Sequence, residues 1–446
     1  MIDTLEFFKT AWLIATNKRL SREQFERKRL KRFRQFAPYV QQNSPYYGRV
    51  MREQGIHPAT CTPEQFPIIT KSEVIQNFDE IVTDKAVTLK AVQEFALGSH
   101  NPADRYLGRY TVIHTSGTSG QVGYFVFDPK AFGRGIAQVA NSPAQGYHMR
   151  RRRLAFVGPV DGHYAGVTLT SSVRLPPFNL VYDGRFFDVN LPMARIIDGL
   201  NEFQPDMLVS YATTLSVLAE KQLAGILKVH PTMINNSAEP IPHATRELVL
   251  KAFGPVLRNM YACSEHMVLG LREAASETMR LVEDDLILET HPDHTIVTNI
   301  FNRLMPLIRY RLSDVLRVVD ANDHYPYRAT ADAVGRIEQT AKFINRHGVE
   351  DSISQFIFVE MIIPGARRFQ VRITGPTSVV VAVVPEEGLN ADGRQKAVDA
   401  VSTRLKAVLA TKEMDNVTYS VVFEDDIPVD PTTKKYKLIV YPKSGS

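Results

Sequence analysis

His114-Thr115-Ser116-Gly117-Thr118-Ser119-Gly120 is the most informative stretch of this 446-residue chain. It lies between two short apolar runs, Tyr110–His114 and Tyr124–Phe127, that read as strands. A Ser/Thr/Gly-rich loop at a strand end presents backbone N–H groups and hydroxyls without bulky side chains, a surface suited to phosphate oxygens. No Gly-Lys-Ser/Thr follows, so the loop is not of the Walker type. Taken alone, it reads equally well as a flexible hairpin.

Working outward, the chain downstream alternates. Leu154–Val157, Met207–Ser210, Thr232–Asn235 and Val256–Met260 read as strands, and Leu191–Glu202, Leu215–Ala224 and Pro242–Phe253 as helices. That alternation indicates an α/β layered core. Leu286–Glu289 and Thr295–Asn299 open a meander that ends in Leu307–Leu312. Upstream, Phe25, Leu30, Phe33 and Phe36 recur at helical spacing, so residues 1–85 are expected to be mainly helical. Thr70 caps a further helix, with Glu73 completing a capping box.

Beyond Gly335-Arg336 the pattern changes. Phe369–Ile373, Val379–Val384, Val417–Phe423 and Lys435–Tyr441 read as strands, with Asp392–Ala410 an amphipathic helix. The expected organisation is a large layered N-terminal domain, 1–335, and a small mobile α+β C-terminal domain, 336–446, meeting near Gly335–Lys342.

Composition excludes several classes. Apolar residues make up 44% and charged residues 23%, the balance of a folded chain rather than a disordered one. No apolar run has the length of a membrane span, and the two cysteines, Cys61 and Cys263, make neither a disulfide framework nor a cysteine-only zinc site. No signal-peptide cleavage site follows the apolar patch Thr10–Thr16, so a cytoplasmic protein is expected. Residues 1–40 hold ten Lys/Arg against four Asp/Glu, a local +6 in a chain of net +5. Such a segment suits nucleic acid or an anionic membrane. It lacks the interleaved aromatics of a single-strand groove, so no nucleic acid is expected and a solvated helix face is the reading. Arg150–Arg153 reads as a charged turn before a buried strand.

Thr115–Gly120 resembles the phosphate loop of the adenylate-forming superfamily, the acyl- and aryl-CoA synthetases and their relatives. Further similarities follow in order. Ser237-Ala238-Glu239-Pro240 is similar to the segment that lies against adenine. Tyr261-Ala262-Cys263-Ser264-Glu265 resembles the motif whose aromatic packs on adenine and whose Glu holds magnesium. Tyr310-Arg311-Leu312-Ser313-Asp314 resembles the motif whose Asp binds the ribose hydroxyls. Gly335-Arg336 resembles the start of the hinge, and Pro431–Lys437 the segment that supplies the catalytic lysine, here Lys435, with Lys434 and Lys437 its neighbours. Chain length, Asn43-Ser44-Pro45-Tyr46-Tyr47 and Phe66–Glu73 are most similar to the phenylacetate-CoA ligase branch, which also holds synthetases that adenylylate deazaflavin cofactors.

The resemblance implies an adenylate-forming ligase fold and an AMP-forming acid–thiol ligase. Its substrates would be ATP, a carboxylic acid of aryl or medium acyl type, and coenzyme A or an acyl carrier protein, with Mg2+ on Glu265. It assigns nucleotide binding to Thr115, Ser116, Gly117, Thr118, Ser119, Gly120, Ala238, Glu239, Pro240, Tyr261, Ser264, Asp314 and Arg336. Catalysis falls to Lys435 and Glu265, and acid contact to His163 or Tyr164. A carrier protein would dock on the basic face of residues 18–34; a homodimer and a catalytically silent nucleotide-binding relative remain open. The residues make chemical sense without the family. A hard oxygen ligand suits magnesium, a long-stemmed cation suits a bridge between carboxylate and α-phosphate, and a carboxylate suits a ribose diol.

Four places depart from the family pattern. The loop ends Gly120-Gln121-Val122-Gly123 without the usual Pro and Lys. The hinge reads Ile337-Glu338-Gln339 where relatives carry Asp-Asp. Asn345-Arg346-His347-Gly348 replaces an Arg-Gly turn, and Lys434 replaces the Gly before the catalytic lysine. These changes fall more heavily on thiol transfer than on adenylation.

Overall fold

The structure, a computed structural model, describes residues 2–115, 122–140, 150–292, 294–312, 314–319, 325–334, 341–353, 357–358, 361, 363–427 and 438–441. Helices open the chain: α1 (Thr4–Asn17), α2 (Arg22–Asn43), α3 (Pro45–Glu53), α4 (Lys71–Gln76), α5 (Phe78–Ile81) and α6 (Leu89–Gly98). On α2 the periodic side chains Phe25, Phe33, Phe36, Ala37 and Val40 are buried, and Ser21 with Gln24 forms a capping box. Thr70 and Glu73 form the expected box on α4, with Glu73 Oε2 accepting from Thr70 N at 2.7 Å.

The basic character of α2 has an internal explanation that the sequence did not reveal. A buried acidic triplet, Glu283-Asp284-Asp285, lies against the helix. Arg22 and Arg29 pair with Glu283 at 2.8 and 3.0 Å, and Arg32 pairs with Asp285. Arg134 and Arg328 complete the set. Three of the cations expected on a solvated face therefore point inward, and a carrier protein would meet a correspondingly weaker basic surface there. Arg150 and Arg153 similarly engage Asp206 of the same chain.

After a hairpin of β1 (Thr111–His114) and β2 (Tyr124–Phe127), in register His114↔Tyr124, α7 (Pro129–Ala140) packs on α1. The central sheet is then built from β3 (Arg152–Gly158), β4 (Tyr182–Asp188), β5 (Met207–Ser210), β6 (Met233–Ser237), β7 (Leu257–Cys263), β8 (Met267–Arg272) and β9 (Met279–Leu281). Between these strands lie α8 (Ala165–Ser171), α9 (Met193–Phe203), α10 (Ala212–Leu223) and α11 (His243–Phe253). A separate meander holds β10 (Leu286–Thr290), β11 (Thr295–Asn299) and β12 (Leu307–Leu312), after which β13 (Val315–Val319) and β14 (Ala329–Val334) rejoin the large sheet.

The nine-stranded order is β13-β14-β9-β8-β7-β6-β5-β3-β4. The run β4-β3-β5-β6-β7 is parallel and the remainder antiparallel. Its inner strands are buried, β6 and β7 carrying the polar Asn235, Asn236, Arg258 and Asn259 inside as well as apolar residues; Ile196, Leu200, Leu215 and Leu218 pack against Ala155, Leu208 and Ile234. The strand β4 was not expected from the sequence. It is an edge strand, paired to β3 alone, and its polar Tyr-Asp-Gly-Arg opening carries no apolar run.

Residues from 341 onward have their own core. The hairpin β15 (Ala341–Ile344) and β16 (Glu350–Ile353) precedes a four-stranded sheet, β19-β18-β17-β20, of β17 (Ala366–Gly375), β18 (Ser378–Pro385), β19 (Thr418–Phe423) and β20 (Ile439–Val440). Covering it is α12 (Ala391–Thr411), which buries Ala397, Val401, Leu405 and Val408. This unit touches the start of α9 at Asp351, whose Oδ2 accepts from Met193 N at 3.2 Å. The buried Lys412 ammonium stands 3.9 Å from the other carboxylate oxygen. No helix among the described residues is long and apolar enough to cross a membrane.

Candidate functional site

Parallel strands expose their carboxyl ends together, and in open α/β sheets ligands bind there. Here those ends carry Ser237-Ala238-Glu239 after β6, Tyr261 to Glu265 at and beyond the end of β7, and His163-Tyr164 in the connection after β3. The hairpin places Thr115 among them. Thr115 N donates to Gly123 O at 2.8 Å and Thr115 Oγ1 accepts from Gly123 N at 2.8 Å, closing the neck of the loop between them. Ser264 Oγ donates to the His114 carbonyl at 3.1 Å, which ties the end of β7 to the end of β1.

The two Tyr-x-x-x-acid motifs interlock. Tyr261 OH donates to Asp314 Oδ2 at 2.7 Å, and Tyr310 OH donates to Glu265 Oε1 at 3.1 Å. Each motif's tyrosine thus holds the other motif's carboxylate. Burial pushes both phenols well above their ordinary range, and the facing Asp314 and Glu265 add to it, so both remain protonated donors. Glu265 is buried, with one oxygen held by a neutral donor. A slip in register between Tyr261 and Ala262 re-aims the end of β7. Left-handed backbone at Ala238 (φ 63), Met267 (φ 64) and Arg309 (φ 54) flanks the same segments, the clustering of strain expected of a functional region.

The Glu239 side chain is engaged within the fold. Its carboxylate accepts from Thr213 N at 2.7 Å and from Thr213 Oγ1 at 2.9 Å, capping the start of α10. The turn is closed by Glu239 N donating to Ser237 O at 2.7 Å. His163 is fully buried, its Nε2 2.9 Å from Ser99 Oγ and its ring 5.0 Å from Phe95. Burial, helped by the neighbouring His114 and Arg105, brings its pKa down to about 4, so it is neutral at physiological pH. The imidazole is engaged by structural partners, whereas Tyr164 is half-buried with its ring 4.3 Å from that of His114.

Two residues of this region were not singled out from the sequence. His114, whose ring burial depresses its pKa, stands between Tyr124 and Tyr164; its place immediately before the loop was the available signal. Lys71, the first residue of α4, donates from Nζ to Thr115 Oγ1 at 3.3 Å. Nothing in the sequence places residue 71 beside residue 115. Ser116, Gly117, Thr118, Ser119, Gly120, Arg336 and Lys435, with Lys434 and Lys437, lie outside the described residues. Among the described residues no group of three His, Cys, Asp or Glu gathers as a metal cage. Magnesium bound largely by substrate phosphates needs only one or two carboxylates, which the isolated Glu265 satisfies.

No protein family model matches the chain. Among curated proteins, Protein CapK of Staphylococcus aureus is 23% identical over 295 residues, spanning 64% of this chain and 61% of its own length. Among solved structures, 2-hydroxyisobutyryl-CoA ligase with 2-HIB-AMP and CoA in the thioesterification state superposes with TM-score 0.61. It is 17% identical, over 95% of this chain and 91% of that one. An open conformation of the same ligase gives TM-score 0.57 at 16% identity, over 95% and 93%. The chain has the adenylate-forming ligase fold.

Proposed function

We propose that this protein is an ATP- and magnesium-dependent ligase that adenylates a carboxylic acid, of aryl or medium acyl type, and passes the acyl group to a thiol. One observation carries the reading: the crossed pairs Tyr261–Asp314 and Tyr310–Glu265 bring residues 53 and 45 positions apart to one place beside Thr115. The ligase that shares the fold was captured with an acyl-AMP and CoA.

In this reading a carboxylate oxygen of the acid attacks the α-phosphorus of ATP and pyrophosphate departs. Asp314 holds the ribose hydroxyls, Tyr261 packs on the base, and the backbone of Ala238, Glu239 and Pro240 borders it. The N–H groups and hydroxyls of Thr115 to Gly120, with Ser264 at their base, receive the phosphates. Lys71 brings a cation to the neck of the loop, compensating for the lysine missing from Gly120-Gln121-Val122-Gly123. Magnesium, held by Glu265, would neutralise phosphate charge. Tyr164 borders the acid. Arg336 and Lys435 belong to the smaller unit, 336–446, which closes to bring Lys435 to the reacting oxygens and then turns to admit coenzyme A.

ATP–pyrophosphate exchange over a panel of carboxylic acids tests the proposal. Exchange with at least one acid, slowed about a hundredfold by Glu265→Gln, is expected. Silence across the panel with all site residues intact would overturn it.

A further inference from the structure

Among the described residues, nothing covers one face of the first helix. On α1, Leu5, Phe8 and Trp12 are 64%, 62% and 70% exposed, at the spacing that aligns them in a single stripe. Lys9, Ala15 and Arg19 extend the exposed face. The opposite face is the packed one, burying Thr10, Ile14 and Asn17. Phe7 meets the Phe178 ring at 5.0 Å, which holds the segment 178–181 beside the helix. That segment exposes Leu180 and Val181, and the exposed Arg151 reaches the next carbonyl, of Tyr182, at 2.8 Å.

Charge on this face is one-sided. The two acids of the α1 region are turned away: Asp3 caps the helix through Glu6 N, and Glu6 pairs with Arg134. Lys9 and Arg19 remain on the stripe with no acidic partner among the described residues, and Arg151 lies beside it; Asp183 is the exposed acid nearby. Indole, phenyl and isobutyl groups flanked by cations match the boundary of a phospholipid bilayer. There the apolar groups enter the acyl edge while Lys and Arg meet phosphates. A second copy of the chain fits less well, because pairing the stripe about its midpoint brings Lys9 against its own copy over an apolar contact.

We propose that α1 docks this protein on the surface of an anionic phospholipid bilayer, with Leu5, Phe8 and Trp12 inserted and Lys9 and Arg19 on lipid phosphates. The attachment is peripheral and does not depend on the reaction proposed above.

Trp12 is the sole tryptophan, so its emission reports on this face alone. Intact protein is mixed with vesicles of phosphatidylcholine, or of phosphatidylcholine with phosphatidylserine, and followed by fluorescence and co-sedimentation. The expected result is a blue shift and sedimentation with the anionic vesicles, reduced by salt and weak with the neutral ones. Leu5→Ser/Phe8→Ser weakens binding at least about tenfold, and Lys9→Gln and Arg19→Gln about fivefold each. All four positions are exposed, so unchanged circular dichroism melts accompany these losses. No shift with either vesicle, or equal binding to both, overturns the proposal. So does a lipid-free blue shift that grows with protein concentration, which assigns the face to a second copy.

Discussion

Replacing Glu283 by glutamine tests why α2 is so basic. The Glu283 side chain is fully buried and receives Arg22, Arg29 and Arg328 at 2.8, 3.0 and 2.9 Å. Burial alone would raise its pKa. The hydrogen bond from Arg22 and the charges of Arg328 and Arg29 prevail and hold it at about 2, against 4.5 when unfolded. A folded pKa below the unfolded one means stability that is complete above 4.5 and lost as pH falls through 2. At neutral pH the depression corresponds to about 3 kcal/mol. Breaking a buried ion pair from one side costs about 3–5 kcal/mol, in agreement. Amide exchange of α2 followed by mass spectrometry should therefore accelerate roughly 150-fold at pH 7 in Glu283→Gln. Amides of α12, in a separate core, should be unchanged. Exchange in α2 within a few-fold of the parent would refute the argument and restore the solvated helix face.

The neighbouring acid responds in the opposite sense. Burial, with the charge of Asp285, raises Asp284 to about 6, so its contribution is favourable below 3.8 and lost as pH rises through 6. Asp284→Asn keeps an acceptor for Asn17 and Tyr327 and should be more stable than the parent at pH 7 by up to about 3 kcal/mol, the gain vanishing near pH 4 in thermal melts. At the candidate site, Tyr310→Phe should slow pyrophosphate exchange about tenfold, and Glu265→Gln about a hundredfold. The double variant should be no slower than Glu265→Gln, because both act through one carboxylate; additive losses in kcat would contradict the crossed pairing. Lys71→Met should raise KM for ATP about tenfold with a smaller change in kcat, read from exchange at varied ATP.

What the sequence revealed follows from where each signal resides. The strands β3, β5, β6 and β7 were legible because each holds a short apolar stretch set between helical segments, even though β6 and β7 also bury Asn235, Asn236, Arg258 and Asn259, and the meander at β10 to β12 was placed within a residue or two. The box Thr70-x-x-Glu73 was legible because its chemistry is complete within four residues. What stayed hidden depends on contacts distant in the chain. Nothing in the sequence marks Glu283-Asp284-Asp285 as buried, and only the fold brings Arg29, 254 positions from Glu283, onto the triplet. Glu239 matched a motif by type, yet its carboxylate caps α10 through Thr213, a use that requires β6 and α10 to be neighbours. His163 was expected to contact the acid, and no signal in the sequence showed that its ring would turn toward Ser99.

The crossed tyrosines have a mechanical implication. Tyr310 belongs to the three-stranded meander and Glu265 to the end of the nine-stranded sheet, while Asp314 lies in the short link from one to the other. Neither sheet alone defines where the two carboxylates sit; the seam between them does. A shear of one layer past the other would uncouple both carboxylates at once, so substitutions along that seam, far from any substrate, should blunt the site as a unit while insertions elsewhere on either layer leave it intact.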